Sequence, residues 1–526
     1  MTTDWIVAGA GHNGLTAACY LAKAGETVLA LDQADVAGGG ASTREWTLPG
    51  YRHNLHAMRV RGLTLGPVFE ELELGRYGVD LILRDEFSAH VFDDGRALVR
   101  YLDVERTVRD MERFSKRDAR AYRDLFYETQ DLRAAAVRRR IGPPAPPGGP
   151  PAIDPSRPLS ATLNRWYHSS LIQVVRELFE DEHIQVFMRG SAQAVSYPGD
   201  LPLTGLDLVG GIMATHSSPL QLIRGGSAEV ARALERILAE HGGAVRTGAR
   251  VREILVENGR AVGVALDSGE RLRAAKGVIA GFGHKVLLDT IDTAGLPDDF
   301  VGPIERFRGE EIVLFAVHGA VEGPVQYHAA ADNPDVDRCL DVTFGLNRVI
   351  DLIKQYNDCR EGALPRVLGG FCDIPSVWDA SYAPPGGQVI DIGINVPYRL
   401  SGSPDAWDDV AADFGDRLVS AWLQYVDVPR ERLLRSFTYS PLDIVRANPS
   451  FFEASPIQGS PLPDQMGIFR PAYGWAEYAT PIEGLYVAGS TAHPMGGLSG
   501  IPGHHCASRI AHDYGISAWW PSYLLP

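Results

Sequence analysis

The stretch from Trp5 to Asp32 constrains this chain more than any other. Four apolar residues, Trp5-Ile6-Val7-Ala8, have the length and composition of a buried parallel strand and run straight into Gly9-Ala10-Gly11-His12-Asn13-Gly14, a G-x-G-x-x-G. Gly9 makes the tight turn, Gly11 lets backbone approach a pyrophosphate, and Gly14 lets the following helix pack close on the strand. The spacing predicts that helix over Leu15 to Ala24 with Gly25 behind it, then a second strand, Thr27 to Leu31, ending on Asp32. Phosphates sit well at such a helix N-terminus, where N–H groups are unpaired and the dipole favours negative charge. Asp32 is placed to accept both hydrogen bonds of an adenosine ribose, which argues against a 2′-phosphate and for NAD or FAD. Ala10, His12, Asn13 and Gln33 complete the candidate dinucleotide contacts of this unit.

The run Gly38-Gly39-Gly40-Ala41-Ser42 separates the two cofactors. A glycine pair following the ribose acid resembles the opening of the flavoprotein superfamily that holds amine oxidases and phytoene desaturases. That resemblance implies FAD, with Gly39, Gly40, Ala41 and Ser42 along its pyrophosphate and ribityl chain. Gly40 stands where arginine is frequent in the superfamily, which removes one phosphate contact and leaves more to backbone amides.

Two further segments carry the same resemblance. Gly225-Gly226 precedes Ser227, a plausible N-cap, and Val230, Leu234, Ile237 and Leu238 form one helical face. Strands over Val251 to Val256 and Arg260 to Leu266 then flank Asn258-Gly259, a strong hairpin signal. In the superfamily the residue matching Val251 touches the adenine through its backbone, and Val278 to Gly281 matches the strand that returns beneath the dinucleotide. Near the other end, the strand Leu485 to Ala488 meets Gly489 and a glycine-rich loop, and Pro502 opens a helix where its missing N–H costs nothing. Gly489 to Cys506 is similar to the phytoene desaturase-related group that includes pyridine nucleotide-disulphide oxidoreductase domain-containing protein 2. The family's final helix points its N-terminus at the pyrimidine edge of the flavin, which implies that amides near Gly500, Ile501 and Gly503 favour the reduced, negatively charged state. Met495, His505 and Cys506 depart from the group's pattern where substrate meets flavin.

Length and charge bound the rest. At 526 residues the chain is too long for one ordinary domain. With 50 basic against 66 acidic residues it repels phosphate backbones and anionic lipid heads, which argues against a nucleic-acid partner. Five cysteines without metal-ligand spacing read as free thiols of a reducing cytoplasm, and no metal site is expected. The first strand begins too early for a signal peptide, and no apolar run approaches the roughly 20 residues that span a bilayer.

The expected fold is α/β: a discontinuous Rossmann-like FAD-binding domain of residues 1–75, 215–290 and 455–526. A mixed α+β substrate domain of residues 76–214 and 291–454 is inserted into it. Within the latter, residues 142–158 (GPPAPPGGPPAIDPSRP) read as an extended, mobile Pro/Gly-rich excursion. Helical patterning covers Asp103 to Arg140 and Leu159 to Gly210, Gly205 to His216 suits a helix lining a cavity or packing in the core, and Glu311 to His318 reads as a strand. From Phe300 to Ser450 no nucleophile triad, paired acid motif or metal set is legible. The aromatic tail, Ile516 to Pro526, is expected to pack within the chain or on a second subunit rather than at a membrane, since it lacks basic residues.

What the resemblance implies for function is an FAD-dependent dehydrogenase or oxidase, desaturase-like, taking a hydride from a carbon of a largely apolar small molecule onto flavin N5. His53, His56 and His505 are the candidate proton acceptors. Amine oxidation, a flavin-using isomerase and a non-catalytic flavin-bound interaction protein stand as alternatives. The electron acceptor leaves no mark in the sequence.

Overall fold

The computed structural model describes residues 3–146, 156, 159–190, 197–218, 220–455 and 457–521. Two seven-stranded sheets organise them. The first is centred on Thr3–Ala8, which pairs in parallel with Val28–Leu31 on one side and Arg271–Ala280 on the other. Ala244–Arg246 extends it beyond Val28–Leu31, and Leu485–Val487 joins Arg271–Ala280 in parallel. The hairpin Val251–Glu257/Arg260–Leu266 continues the sheet antiparallel. Asn258 and Gly259 both have positive φ, 52° and 78°, the conformation that a two-residue hairpin with the native twist requires.

The opening strand is apolar without alternation because both of its faces are covered. Trp5 and Val7 enter one core with the helices His12–Lys23, Ala228–Glu240 and Ile501–Tyr514, while Ile6 and Ala8 face another with Leu287, Phe300 and Ile304. The helix after the glycines begins at His12, three residues earlier than the apolar spacing suggests, because Gly11 already serves as its N-cap. Ser227 precedes the helix Ala228–Glu240 without capping it. Its hydroxyl faces Asn54 Oδ1 (3.2 Å) and Ser42 O (3.4 Å), tying that helix to the glycine-pair loop.

The second sheet runs, in spatial order, Leu433–Tyr439, Val313–Glu322, Gly387–Val396, Gly370–Asp373, Asp341–Phe344, Glu86–Val91 and Ala97–Tyr101. All neighbours are antiparallel except Asp341–Phe344 with Glu86–Val91. One face is apolar: Phe315, Val317, Ile392 and Ile394 pack on Trp407, Phe414, Leu418 and Trp422 of the helix Trp407–Trp422. The strand expected over Glu311 to His318 starts at Val313 and continues to Glu322. Helices including Val104–Glu112, Lys116–Thr129, Leu171–Leu178 and Asp207–Ser217 build a further core with Trp166, Phe179 and Phe187, so the last of these packs rather than bounding a void.

The start of the Pro/Gly-rich stretch is held in place: Gly142 O faces His493 Nε2 at 3.0 Å and Ala145 O accepts from Ile468 N at 3.1 Å. Positions 147–155, 157 and 158 lie outside the described residues. The aromatic tail folds back on its own chain. Trp519 stacks on Tyr20 at 5.2 Å, Lys23 Nζ lies 3.8 Å from the Trp519 ring, and Trp520 Nε1 donates to Ser508 Oγ. Residues 522–526 lie outside the described residues. All five cysteines are free and buried, and no described helix is long and apolar enough to cross a membrane.

Candidate functional site

Three neighbouring parallel strands end at glycines packed against the backbone of the adjoining strand's exit. A Cβ on Gly281 would lie 2.0 Å from Gly9 O, and one on Gly489 would lie 2.1 Å from Phe282 O. The loops leaving these strands therefore converge over the carboxyl edge of the sheet, the side on which open α/β sheets bind ligands. Gly9 itself has φ of 99°, which permits the turn, and a Cβ on Gly14 would strike Gly9 O at 2.3 Å.

Two helix N-termini meet above that edge. The C-terminal helix, Ile501–Tyr514, packs on the opening helix so closely that a Cβ on Gly503 would sit 2.1 Å from Asn13 O. Gly500 caps it in the left-handed conformation, with Thr16 and Val68 pressed against its α-carbon. The first-turn N–H groups of both helices, unpaired by the nature of a helix start, thus share one region with a positive potential. Asn13 Nδ2 donates to Ser490 Oγ at 2.9 Å, and its Oδ1 is buried without a hydrogen-bond partner among the described residues.

The other expected dinucleotide contacts are placed around this region. The glycine-pair loop lies against the first, with Gly38 N bonded to Ala10 O at 2.8 Å and Gly39 Cα 4.0 Å from a Cβ built on Gly11. Ala41 is buried, and Ser42 leads towards the Ser227 hydroxyl. Asp32 is buried and receives Ala34 N at 2.9 Å; its burial pushes the carboxyl up from its ordinary value. Gln33 beside it is exposed, and Val251 begins its strand two residues after Ala249, whose N–H bonds Asp32 O at 2.7 Å. A desolvated carboxylate, paired amide-bearing loops, glycines that no side chain could replace and an orphaned Asn13 oxygen fit an adenine dinucleotide laid from Asp32 to Gly503.

Gly40 has a steric explanation. A Cβ there would lie 2.9 Å from the Phe451 ring, which fills the space that an arginine would need. Phe451 in turn stacks on His56 at 4.5 Å, and Tyr439 OH lies 3.5 Å from His56 Nε2.

His53 and His56 come together; His505 lies elsewhere. His53 is fully buried, with Nε2 2.8 Å from Thr47 Oγ1, and burial followed by the nearby His318 lowers it to about 3. His56 is lowered to about 4 by the same two causes. His505 stacks on Tyr478, and its Nε2 lies 2.8 Å from Ile141 O, so that nitrogen carries the hydrogen and donates to the backbone. Burial lowers it to about 3, which keeps it neutral.

The site contains a feature that reading the sequence did not reveal. Across the second sheet, in register and one per strand, stand Arg100, Ser88, Asp341, Asp373, Asp391, His318 and Phe437. Because side chains alternate along strands, these seven share the face opposite the helix Trp407–Trp422. Arg59, three residues past His56, reaches this row: it lies 3.0 Å from Asp341 and 3.2 Å from Asp373. Burial opposes the Arg59 charge, but Asp341, Asp373 and Asp391 outweigh it and raise the guanidinium above its ordinary value. Burial drives Asp373 well above the carboxylate range against the pull of Arg59, with Asp341 and Asp391 adding to the rise; burial lifts Asp391 to about 7. His318, fully buried, stacks on Phe437 at 5.0 Å and meets His53 edge-on at 5.7 Å. The available signal was a lone ionisable residue inside an otherwise apolar strand, as in VIDIGINV for Asp391 and FAVHGAV for His318. Among the described residues no His, Cys, Asp or Glu cluster is disposed to hold a metal.

Comparison with known proteins agrees with this architecture. The profile of the family described as FAD dependent oxidoreductase matches residues 4–155. A component polypeptide of the limonene dehydrogenase of Castellaniella defragrans is 28% identical, covering 98% of this chain and 96% of that protein. Pyridine nucleotide-disulfide oxidoreductase domain-containing protein 2 of Rattus norvegicus is 26% identical, over 97% and 93%. Hydroxyneurosporene desaturase of Cereibacter sphaeroides is 26% identical, over 97% of each. An oxidoreductase from Methanosarcina mazei has the same fold, with a TM-score of 0.60 at 16% identity over 97% of this chain and 99% of that one. Residues 4–155 thus resemble the FAD-dependent oxidoreductases, and the chain is an enzyme that uses FAD, with desaturases and dehydrogenases among its relatives.

Proposed function

We propose that the enzyme dehydrogenates a largely apolar small molecule at carbon, in the manner of a desaturase. The observation that carries this reading is the junction of the two helix N-termini at Asn13 and Gly503, next to a wall of half-buried His56 and buried Phe451 and Tyr439. When bound, FAD supplies the two-electron acceptor, taking hydride at N5. Gly9, Ala10, Gly11, His12, Asn13 and Gly14 hold the pyrophosphate by backbone amides, with Gly39, Gly40, Ala41 and Ser42 opposite them. Asp32 binds the ribose, and Gln33 and Val251 flank the adenine. Gly489, Gly500, Ile501 and Gly503 bring the second helix start to the redox end, where its unpaired N–H groups favour added negative charge. The rings of His56, Phe451 and Tyr439 orient an apolar substrate and exclude water. In this assignment residues 1–75, 215–290 and 455–526 form the cofactor domain and residues 76–214 and 291–454 the substrate domain. The named chemistry of limonene dehydrogenase and hydroxyneurosporene desaturase supports an apolar substrate.

The test is an anaerobic absorbance titration of the purified protein with a panel of a cyclic monoterpene, an acyclic isoprenoid, a cyclic ketone and an aliphatic amine. Bleaching of the oxidised flavin by the monoterpene or isoprenoid is the expected result. Bleaching by the amine alone replaces this reading with amine oxidation, and a flavin that nothing bleaches overturns it. Admitting air then separates an oxidase from a dehydrogenase by the speed of recolouring.

A further inference from the structure

A reaction that sends a hydride to FAD also releases a proton, and a water-excluded site needs a group to take it. Buried polar atoms without partners are concentrated in one place. Both ring nitrogens of His318, Oδ1 of Asp341, Oδ1 of Asp373 and Oγ1 of Thr343 are buried with no hydrogen-bond partner among the described residues. Buried polar atoms are rarely left so, and a group of them on one face calls for a polar partner that the described residues do not supply. Asp391 Oδ1 lies 3.4 Å from His318 Nδ1, and among the described residues no other carboxylate comes within ion-pair distance of that ring. The row approaches the cofactor region by ring contacts: His318 meets Tyr439 at 6.2 Å, Tyr439 meets His56, and His56 lies on Phe451 beside Gly40.

We propose that His318, backed by Asp391, is the proton acceptor of the dehydrogenation. The inference rests on the dehydrogenase reading given above. As the substrate's double bond forms, one C–H bond breaks with its electron pair passing to FAD as hydride. The bond to hydrogen on the adjacent atom breaks with its electrons staying behind as the new π bond. That second hydrogen leaves as a proton to Nε2 of His318, and Asp391 behind Nδ1 orients the ring and balances the positive charge. His318 is the catalytic residue; Asp391 and Arg59 are positioning residues. The other groups around the pair are Asp341 and Asp373 from adjoining strands, Arg100 at the end of the row, and His53, His56 and Tyr439 from the facing segments. Asp391 near pH 7 and a neutral His318 give the pair room for one proton at neutral pH, titrating as a unit.

The test uses the FAD-loaded protein and its Asp391→Asn and His318→Gln variants. Infrared titration of the wild type should show the carbonyl stretch of a buried carboxylic acid that vanishes as pH rises through neutrality, and Asp391→Asn should lack it. Both variants should retain flavin that dithionite reduces fully. With the panel compound that bleaches the wild type fastest, each should bleach about 100-fold more slowly or worse, and Asp391→Asn should lose the rise in rate through about pH 7. Wild-type speed in His318→Gln overturns the proposal, as does the absence of the titrating band from the wild type, a result that needs no variant to fold. A wild-type flavin that no compound bleaches removes the dehydrogenase reading and this inference with it, whereas bleaching without these variant effects removes this inference alone.

Discussion

The two sheets have the same number of strands and are held by opposite kinds of constraint. Around the first, contacts are steric: Gly14, Gly281, Gly489 and Gly503 let backbones approach to distances at which any Cβ would collide. Across the second they are electrostatic, with Arg59 set among three aspartates beneath water-excluding rings. Binding a cofactor by backbone requires the absence of side chains, whereas moving a proton requires side chains that stay uncomfortable. The two requirements fall on separate layers, so a change that breaks one leaves a recognisable signature in the other.

The largest expected effect is Arg59→Met. It leaves buried carboxylates without their cation and should destabilise by about 3–5 kcal/mol in denaturant unfolding. The loss should shrink towards acid pH as the carboxyls protonate, and a loss independent of pH would show that packing rather than charge is at stake. Next is Asp391→Asn, read as a difference curve against the wild type. The Asp391 carboxyl is raised from 3.8 to about 7 in the folded state, so it costs the wild type stability progressively as pH climbs between those values and no further above them. The variant should gain on the wild type across that window, by as much as about 4 kcal/mol at pH 8 and by nothing below pH 4. On the first sheet, Gly503→Ala forces its methyl against Asn13 O and Thr16, and should cost about 2–3 kcal/mol with loss of bound flavin, measured by the ratio of flavin to protein absorbance. This penalty should not vary with pH, which is the contrast with Arg59→Met. Ser227→Ala is the mildest, removing the buried contacts to Asn54 and Ser42; about 1 kcal/mol and slightly weaker flavin retention are expected from thermal unfolding and dialysis.

The contrast also explains what could be read from the sequence. The glycine-rich opening, the hairpin at Asn258-Gly259 and the loop before Pro502 are local instructions, each confined to a short stretch whose φ angles or helix start dictate the residue types. Their elements appear within a few residues of where spacing places them. The polar row has no such local form. Asp341, Asp373, Asp391 and His318 become neighbours only after four strands adopt one register, and a single charge in an apolar strand does not reveal what it will stand beside. His53 and His56 were conspicuous because they follow the glycine pair, yet the partner that lowers both of them, His318, is more than 250 residues away. Gly40 is intermediate: its departure from arginine is visible at once, but the Phe451 ring that occupies the space comes from a distant loop.

The placement of Trp519 against Tyr20 has a consequence for biosynthesis. A chain emerging N-terminus first completes its opening helix early, but the strand Leu485–Val487, the helix Ile501–Tyr514 and the indoles that cover Tyr20 follow only after more than 450 further residues. With partners 499 positions apart, the nascent polypeptide must carry an unfinished nucleotide fold, its apolar faces unsealed, until those residues are made. Premature termination before residue 485 therefore yields a product lacking an edge strand and a covering helix, a natural client for chaperones and proteases. The nucleotide fold of this flavoprotein closes only when the helix Ile501–Tyr514 is in place.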